Sequence, residues 1–283
     1  LLSIWNEYPT GANAETYHSL KTTQRKIREN QSPSKQYNLV HKLLRIAAIL
    51  IIPLLSIAGS YLYIKQNTYN PELIQCFVPE GENQEIILPD GSTVNINSGS
   101  ILIYPKKFKG DTRTLYLTGE ANFTVKKDKE HPFIVEMKNS VVRVLGTSFD
   151  VRAYADEDEV LTTLVQGVVR FSAGKESVVL EPGKQAILDK LGQIETREVD
   201  TYLYTAWKEG VFAFKKQRLE EIMKVVARWY DVNVFWENIS QKEVTFTGKM
   251  KRYDDFSKVV EMLEMTGNTE FVVRENNIFI REK

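Results

Sequence analysis

Cysteine is almost absent: Cys76 stands alone among 283 residues, so no internal disulfide can form. Histidine is nearly as scarce, and its three copies have no cysteine cluster beside them, which excludes the usual zinc-ligand spacings. Neither sign of charge is in excess, since 37 Lys and Arg balance 37 Asp and Glu. The chain therefore lacks the global basic field that drives nucleic-acid binding through counterion release, and direct binding of nucleic acid is not expected. Gly-rich phosphate loops, Walker motifs and HExxH are missing too, and no cofactor is expected. What the sequence does have is apolar and aromatic material, 42% hydrophobic with 13 Phe, 13 Tyr and 4 Trp. That is too much for a wholly disordered chain, and at roughly 100–150 residues per domain the length fits about two domains.

The balanced charge conceals an asymmetry. Residues 1–45 carry seven Lys and Arg against Glu7, Glu15 and Glu29, whereas residues 46–283 carry 30 basic and 34 acidic side chains. The change falls at Ile46–Ile64, a run of 19 residues without one ionisable acid or base. As a helix it would reach about 28 Å, close to the hydrocarbon thickness of a bilayer. Pro53 is tolerated in a membrane helix, and Tyr61, Tyr63 and Tyr69 fit the aromatic belt. Six Lys and Arg lie in residues 25–45, while residues 65–85 hold only Lys65 beside Glu72, Glu80, Glu82 and Glu85. The positive-inside rule then puts the amino end in the cytoplasm and the rest outside. The expected layout is a single-pass membrane protein: a cytoplasmic helical tail at 1–42, which continues a larger helical domain or packs on a partner, a membrane helix at 43–64 and a linker at 65–77. Gln31-Ser32-Pro33-Ser34 reads as a short linker before the span.

Beyond the span, residues 78–200 read as an all-β lobe, sandwich or solenoid. Short alternating runs recur (93–97, 114–118, 122–125, 133–135, 142–144, 149–153, 160–165 and 168–171) with turns at Pro89-Asp90-Gly91-Ser92 and Glu181-Pro182-Gly183. The period changes after Trp207: Leu219, Ile222, Met223, Val226, Trp229 and Tyr230 recur at helical spacing, as do Phe256, Val259, Val260 and Leu263. With strand-like runs around both, residues 201–283 read as a small α+β domain of βαββαβ type, its helices covering one face of a sheet.

Nucleophilic and metal chemistry find only near-misses. Gly146-Thr147-Ser148-Phe149-Asp150 begins like a nucleophile elbow but has Asp where Gly is needed and no helix after it. His131 has no nominated triad partners. Asp156-Glu157-Asp158-Glu159 lacks the alternating ligands and glycine of a calcium loop and reads as a solvated hairpin tip. No enzymatic turnover is expected.

Several ordered motifs are more specific. Val78-Pro79-Glu80-Gly81, Leu88-Pro89-Asp90-Gly91-Ser92, Leu117-Thr118-Gly119-Glu120-Ala121, Pro132-Phe133-Ile134-Val135 and Val144-Leu145-Gly146-Thr147-Ser148-Phe149-Asp150-Val151 resemble the FecR-type transmembrane anti-sigma factors. Trp207-Lys208-Glu209-Gly210, Arg228-Trp229-Tyr230-Asp231-Val232 and Phe246-Thr247-Gly248 are similar to the carboxy-terminal domain of the branch that regulates nutrient uptake. His131 and Gln166 depart from the residues common in the family at their positions.

The resemblance implies an anti-sigma factor of the inner membrane. Its cytoplasmic part would hold an extracytoplasmic-function sigma factor, and its external part would read the periplasmic signalling domain of a TonB-dependent outer-membrane transporter. Envelope proteases would relay the signal, and Pro53, Gly59 and Ser60 weaken the span as an intramembrane cut requires. The rival expectation is a non-signalling envelope anchor with external β domains. Two further expectations concern particular residues. Some family members break at a Gly-Thr pair, which here is Gly146-Thr147. The chain also ends in two adjacent strand-like runs, and a free sheet edge bearing Phe271, Val273, Ile278 and Ile280 is expected to accept a strand from the transporter.

Overall fold

The computed structural model describes residues 14–30, 35–67, 71–252, 255–265 and 268–283. The chain forms two compact units, Leu1–Asn70 and Pro71–Lys283.

The first unit contains α1 (Ala14–Asn30) and α2 (Lys35–Asn67). At 33 residues α2 is about 50 Å long. Within it His41–Tyr63 is long and apolar enough to cross a membrane, with a mean hydropathy of 2.2 and none of the apolar window buried against protein. Ile49, Leu54 and Ile57 all stand exposed around its circumference. The helix begins at residue 35, earlier than the expected span, because Lys, Gln and Leu propagate a helix and no breaker intervenes. The linker expected at 31–34 lies outside the described residues.

The second unit opens with thirteen strands: β1 (Leu73–Val78), β2 (Gln84–Ile87), β3 (Thr93–Ile96), β4 (Ser100–Pro105), β5 (Arg113–Thr124), β6 (Phe133–Met137), β7 (Ser140–Val144), β8 (Ser148–Ala153), β9 (Val160–Gln166), β10 (Val169–Ala173), β11 (Glu176–Leu180), β12 (Lys184–Leu188) and β13 (Ile194–Glu198). One sheet runs β11-β10-β7-β6-β5-β4-β1 and the other β2-β3-β5-β8-β9-β12-β13. Every pairing is antiparallel except β5 with β6. The two sheets enclose one apolar core, where Phe123 stacks on Phe149 at 5.0 Å and meets Phe133 edge-on at 6.1 Å. This is a sandwich, not a solenoid.

The two sheets share β5. Its first half pairs with β4 and β6, and its second half, from Gly119 onward, pairs with β3 and β8. The sequence suggested two strands broken near Gly119; the structure has one strand that turns the corner there. Gly119 has φ +111°, and a Cβ would lie 2.7 Å from the Ser100 Cα. Only glycine fits so close an approach at that angle.

The expected linker at 65–77 also needs correction. Leu73-Ile74-Gln75-Cys76-Phe77-Val78 is β1, in register with the whole of β4. Its β-branched and aromatic side chains favour a pleated strand, and β4 supplies the partner that a local reading cannot see.

The remaining residues form the α+β domain. A short helix α3 (Tyr202–Thr205) and a 3-10 turn (Ala206–Glu209) lead into β14 (Val211–Arg218), α4 (Leu219–Tyr230), β15 (Asn233–Trp236), β16 (Thr245–Lys251), α5 (Phe256–Met265), β17 (Thr269–Arg274) and β18 (Asn277–Glu282). In place of one sheet there are two: a bulged β14–β16 pair and a three-stranded sheet of order β15-β18-β17. Leu219, Ile222, Met223 and Val226 of α4 and Val259 and Leu263 of α5 share a core with Phe212, Phe246, Ile278 and Ile280.

Candidate functional site

Charge is concentrated where the β-lobe meets the α+β domain. Arg228 projects from the last turn of α4, which ends at Asp231 in a left-handed conformation, φ 51°. Its guanidinium lies 3.7 Å above the Tyr154 ring. One Nη donates to the Glu157 carboxylate at 2.5 Å, and the other reaches both Asp156 oxygens at 2.8 Å. Arg152 of β8 holds both oxygens of Glu157 with bonds of 2.8 and 2.7 Å, sharing Oε1 with Arg228. The Glu157 side chain is only 6% exposed. The expected solvated tip at 156–159 is therefore wrong for Glu157, because arginines from two elements converge on it. Burial opposes its charge, but Arg152 and then Arg228 outweigh this and hold its carboxyl below the ordinary range.

The second half of the seam centres on Arg252, just past β16 and 1% exposed. It donates to the Trp207 carbonyl at 3.2 Å and crosses into the β-lobe to Asn97 Oδ1 at 2.8 Å and Ser98 Oγ at 3.4 Å. Its guanidinium stacks 3.8 Å from the Trp229 ring. Trp229 Nε1 and Tyr230 Oη both donate to the Arg252 carbonyl. Trp207 Nε1 donates to Asp150 Oδ1 at 3.2 Å, and Lys208 Nζ to Asn122 Oδ1 at 3.3 Å. A cleft of about 540 Å³ opens beside these contacts, with Arg152, Glu157, Tyr204 and Lys216 in its wall.

Two acids are buried in the seam. Glu120 accepts from Asn97 Nδ2 at 2.5 Å, and Asp150 accepts from Asn122 and Trp207. Burial raises the pKa of Glu120, and burial followed by the Glu120 charge raises that of Asp150 much further. Among the described residues no group of three or more His, Cys, Asp or Glu is placed to hold a metal. Chemically the seam is a recognition surface between two domains. Buried pairs of this kind add little net stability, yet breaking one is costly, so they fix which surfaces meet.

Residues 75–170 match the family described as FecR protein, and residues 211–280, in the same order, match the description FecR, C-terminal. The chain belongs to the FecR family. Two crystal structures of a candidate anti-sigma factor from Parabacteroides distasonis ATCC 8503, at 1.65 and 2.50 Å, share the fold of this FecR protein. Each is 26% identical with a TM-score of 0.70; the matches cover 74% and 75% of this chain and 99% of the relative. No curated protein matches the chain.

In this FecR protein the family motifs divide between packing and the seam. Gly119, Glu120, Arg228, Trp229 and Tyr230 are seam residues or abut it. Pro89, Asp90 and Gly91 form a turn whose Asp90 carboxylate takes a 2.6 Å bond from the buried Arg113. The Pro132 carbonyl accepts from the Arg113 backbone at 2.8 Å, while Phe133 and Phe149 are core. Gly248 lies in β16 opposite Phe214 with open space around it. Gly146 and Thr147 lie just before β8, and the Thr147 hydroxyl donates to the Val168 carbonyl at 3.0 Å. His131 pairs with Asp128 at 2.9 Å on the surface.

Of the four residues expected on a free edge, Phe271 and Val273 lie on the edge strand β17, whereas Ile278 and Ile280 lie on the central strand β18. Phe271, Ile278 and Ile280 are buried in the domain core, and only Val273 is exposed, at 44%. β18 is the central strand because β15 pairs with it in parallel. β17 is an edge, yet the backbone N–H of Phe271 is already taken by Glu264 Oε1 at 2.8 Å. Sequence reasoning missed Arg252, Tyr154 and Asn97 altogether. Asp150 did carry a signal, an acid between Phe149 and Val151 in an otherwise apolar strand.

The buried acids set a pH dependence. Glu120 and Asp150 hold their protons to higher pH folded than unfolded, so their stabilising contribution is complete below the ordinary carboxylate range and is lost as pH rises through their raised values. Glu157 acts oppositely: its contribution is present above the ordinary range and is lost as pH falls through its lowered value. Glu120→Gln keeps an acceptor for Asn97 and removes the charge. Urea titration is expected to show this variant more stable than wild type at about pH 8 and equal to it at about pH 4; a variant less stable at the higher pH contradicts the assignment.

Proposed function

We propose that this protein is a membrane-anchored anti-sigma factor. Its cytoplasmic amino end holds an extracytoplasmic-function sigma factor, and residues 71–283, in the periplasm, read the signalling domain of a TonB-dependent outer-membrane transporter. The observation that carries the reading is the order of parts: a basic helical segment, one exposed apolar span at His41–Tyr63, and a compact FecR-type unit after it. The charge asymmetry across the span supports the orientation. The name carried by the Parabacteroides relative supports the class. Relay through envelope proteases suits a single helix, which is a poor lever and a good substrate for cutting.

Capture of the complete native protein from detergent-solubilised membranes tests this. The proposal requires a sigma factor to come down with it; recovery of envelope components alone would favour a plain anchor.

A single self-cleavage between Gly146 and Thr147 belongs to the proposal. The Thr147 hydroxyl attacks the Gly146 carbonyl carbon, the C–N bond breaks, and the Thr147 nitrogen leaves as a free amine while the acyl group moves to Oγ. Water then opens that ester to a Gly146 carboxylate and restores the hydroxyl. Gly146 has φ +150°, and a Cβ there would lie 2.6 Å from the Lys127 Cα, so glycine is required at the scissile carbonyl. The Val168 carbonyl is the acceptor that must release the hydroxyl. Intact mass after expression is expected to show two fragments for wild type and Thr147→Ser and one for Thr147→Ala; three uncut chains would remove this step and leave both residues a packing role.

A further inference from the structure

We propose that docking of α4 holds β1 in its sheet, so that Arg228 is a latch on the first strand after the membrane helix. Opening the seam then frees residues 73–82 while the rest of the lobe stays folded.

β1 is weakly held by its own contacts. It pairs with β4 alone, and Leu73, Ile74 and Phe77 are 52%, 37% and 55% exposed; only Val78 is fully buried. Few buried apolar contacts mean a low cost of local opening. Beyond its ladder β1 is held by the Lys106–Glu72 contact at its start, by Cys76 against the core and Gln84, and by the turn that follows it, where both seam arginines converge. The Arg228 carbonyl accepts the Gly81 N–H at 3.0 Å. Gly81 has φ +80°, and a Cβ on it would lie 3.1 Å from the Trp229 carbonyl, so α4 is seated directly on this turn. From the other side the Glu82 carbonyl accepts from Ser98 Oγ at 2.7 Å. Ser98 is in turn fixed by Tyr154 Oη, which donates to its carbonyl at 2.8 Å, and by Arg252. Tyr154 carries the Arg228 guanidinium on its ring.

β5 and β8 differ from β1 in being paired on both sides within the sandwich. Losing α4 removes the clamp on residues 79–82 but no ladder bond of β5 or β8. Because the latch is built of ion pairs, one to the buried Glu157 and one to the exposed Asp156, whose desolvation and screening offset much of their attraction, it can open at less cost than a core of equal area. The inference stands whether or not the partner in the cytoplasm is a sigma factor.

Hydrogen exchange read by mass spectrometry on the full chain in detergent tests it. Arg228→Ala acts from the α+β side and the double variant Asp156→Asn, Glu157→Gln from the lobe side; Arg228→Lys keeps the charge. Residues 73–82 are expected to exchange roughly tenfold faster or more in the first two, less so in the lysine variant, with 113–124 unchanged in all three and 148–153 unchanged in the two Arg228 variants, since Glu157→Gln also alters the partner of Arg152. Faster exchange in 219–230 with 73–82 as slow as wild type would overturn the latch. So would equal loosening of every strand, since β1 would then have no separate dependence on the seam.

Discussion

Arg252→Met is expected to destabilise the unit Pro71–Lys283 by about 3–5 kcal/mol and to split its unfolding into two steps. The methionine fills much of the space but leaves Asn97 Oδ1 and the Trp207 carbonyl without the donors that now reach them from Arg252. It also removes the cation from the 3.8 Å stack on Trp229. The bonds to Asn97 and Ser98 span the seam, so their loss weakens the coupling of two cores that are otherwise separate. Urea unfolding of residues 71–283 followed by tryptophan fluorescence, which is confined to Trp207, Trp229 and Trp236 of the α+β domain, should then precede the far-UV transition of the β-lobe. Arg252→Lys keeps a charge without the planar fork and is expected to lose less. Coincident transitions with a loss below about 1 kcal/mol would show that the seam does not couple the domains.

Gly119→Ala should be nearly as damaging, at about 3–5 kcal/mol, for a different reason. The new methyl would lie 2.3 Å from Ser100 Oγ and 2.7 Å from the Ser100 Cα, so the backbones of β4 and β5 must part. The φ of +111° adds strain that no side chain relieves. Ser100 Oγ also accepts the Glu120 N–H at 2.9 Å, so displacement reaches the seam. The prediction is a lowered midpoint with both sheets unfolding together, because β5 belongs to both. A change within about 0.5 kcal/mol would mean that the corner relaxes freely and that its glycine is not required.

Much of this organisation is visible in the chain because it is written in local period. Ile46–Ile64 announces itself by the absence of charge, the lobe by its alternation, and α4 by the spacing from Leu219 to Trp229. Gly119 and Glu120 could be quoted as a motif, but their reason depends on Ser100, nineteen and twenty residues away, and is invisible until β4 lies against β5. Arg252 illustrates the same limit: among 37 Lys and Arg, nothing local marks the one that is buried among Trp207, Phe212 and Trp229 and against a neighbouring domain. The edge-strand expectation holds for β17 and not for β18. Consecutive strands Phe271–Arg274 and Ile278–Arg281 were legible as a hairpin, but the parallel addition of β15 on the far side of β18 is a long-range event that moved Ile278 and Ile280 from an edge to the core. Glu157 was misread because composition sees four acids in a row and not the two arginines that fold onto one of them.

The proposed function has the amino-terminal part restrain transcription and residues 71–283 serve it. Run-off transcription by RNA polymerase carrying the sigma factor captured with the native protein tests this directly. Adding the full chain in detergent is predicted to suppress the transcript, while adding residues 71–283 alone leaves it unchanged. Undiminished transcription in the presence of saturating full-length protein would contradict the account.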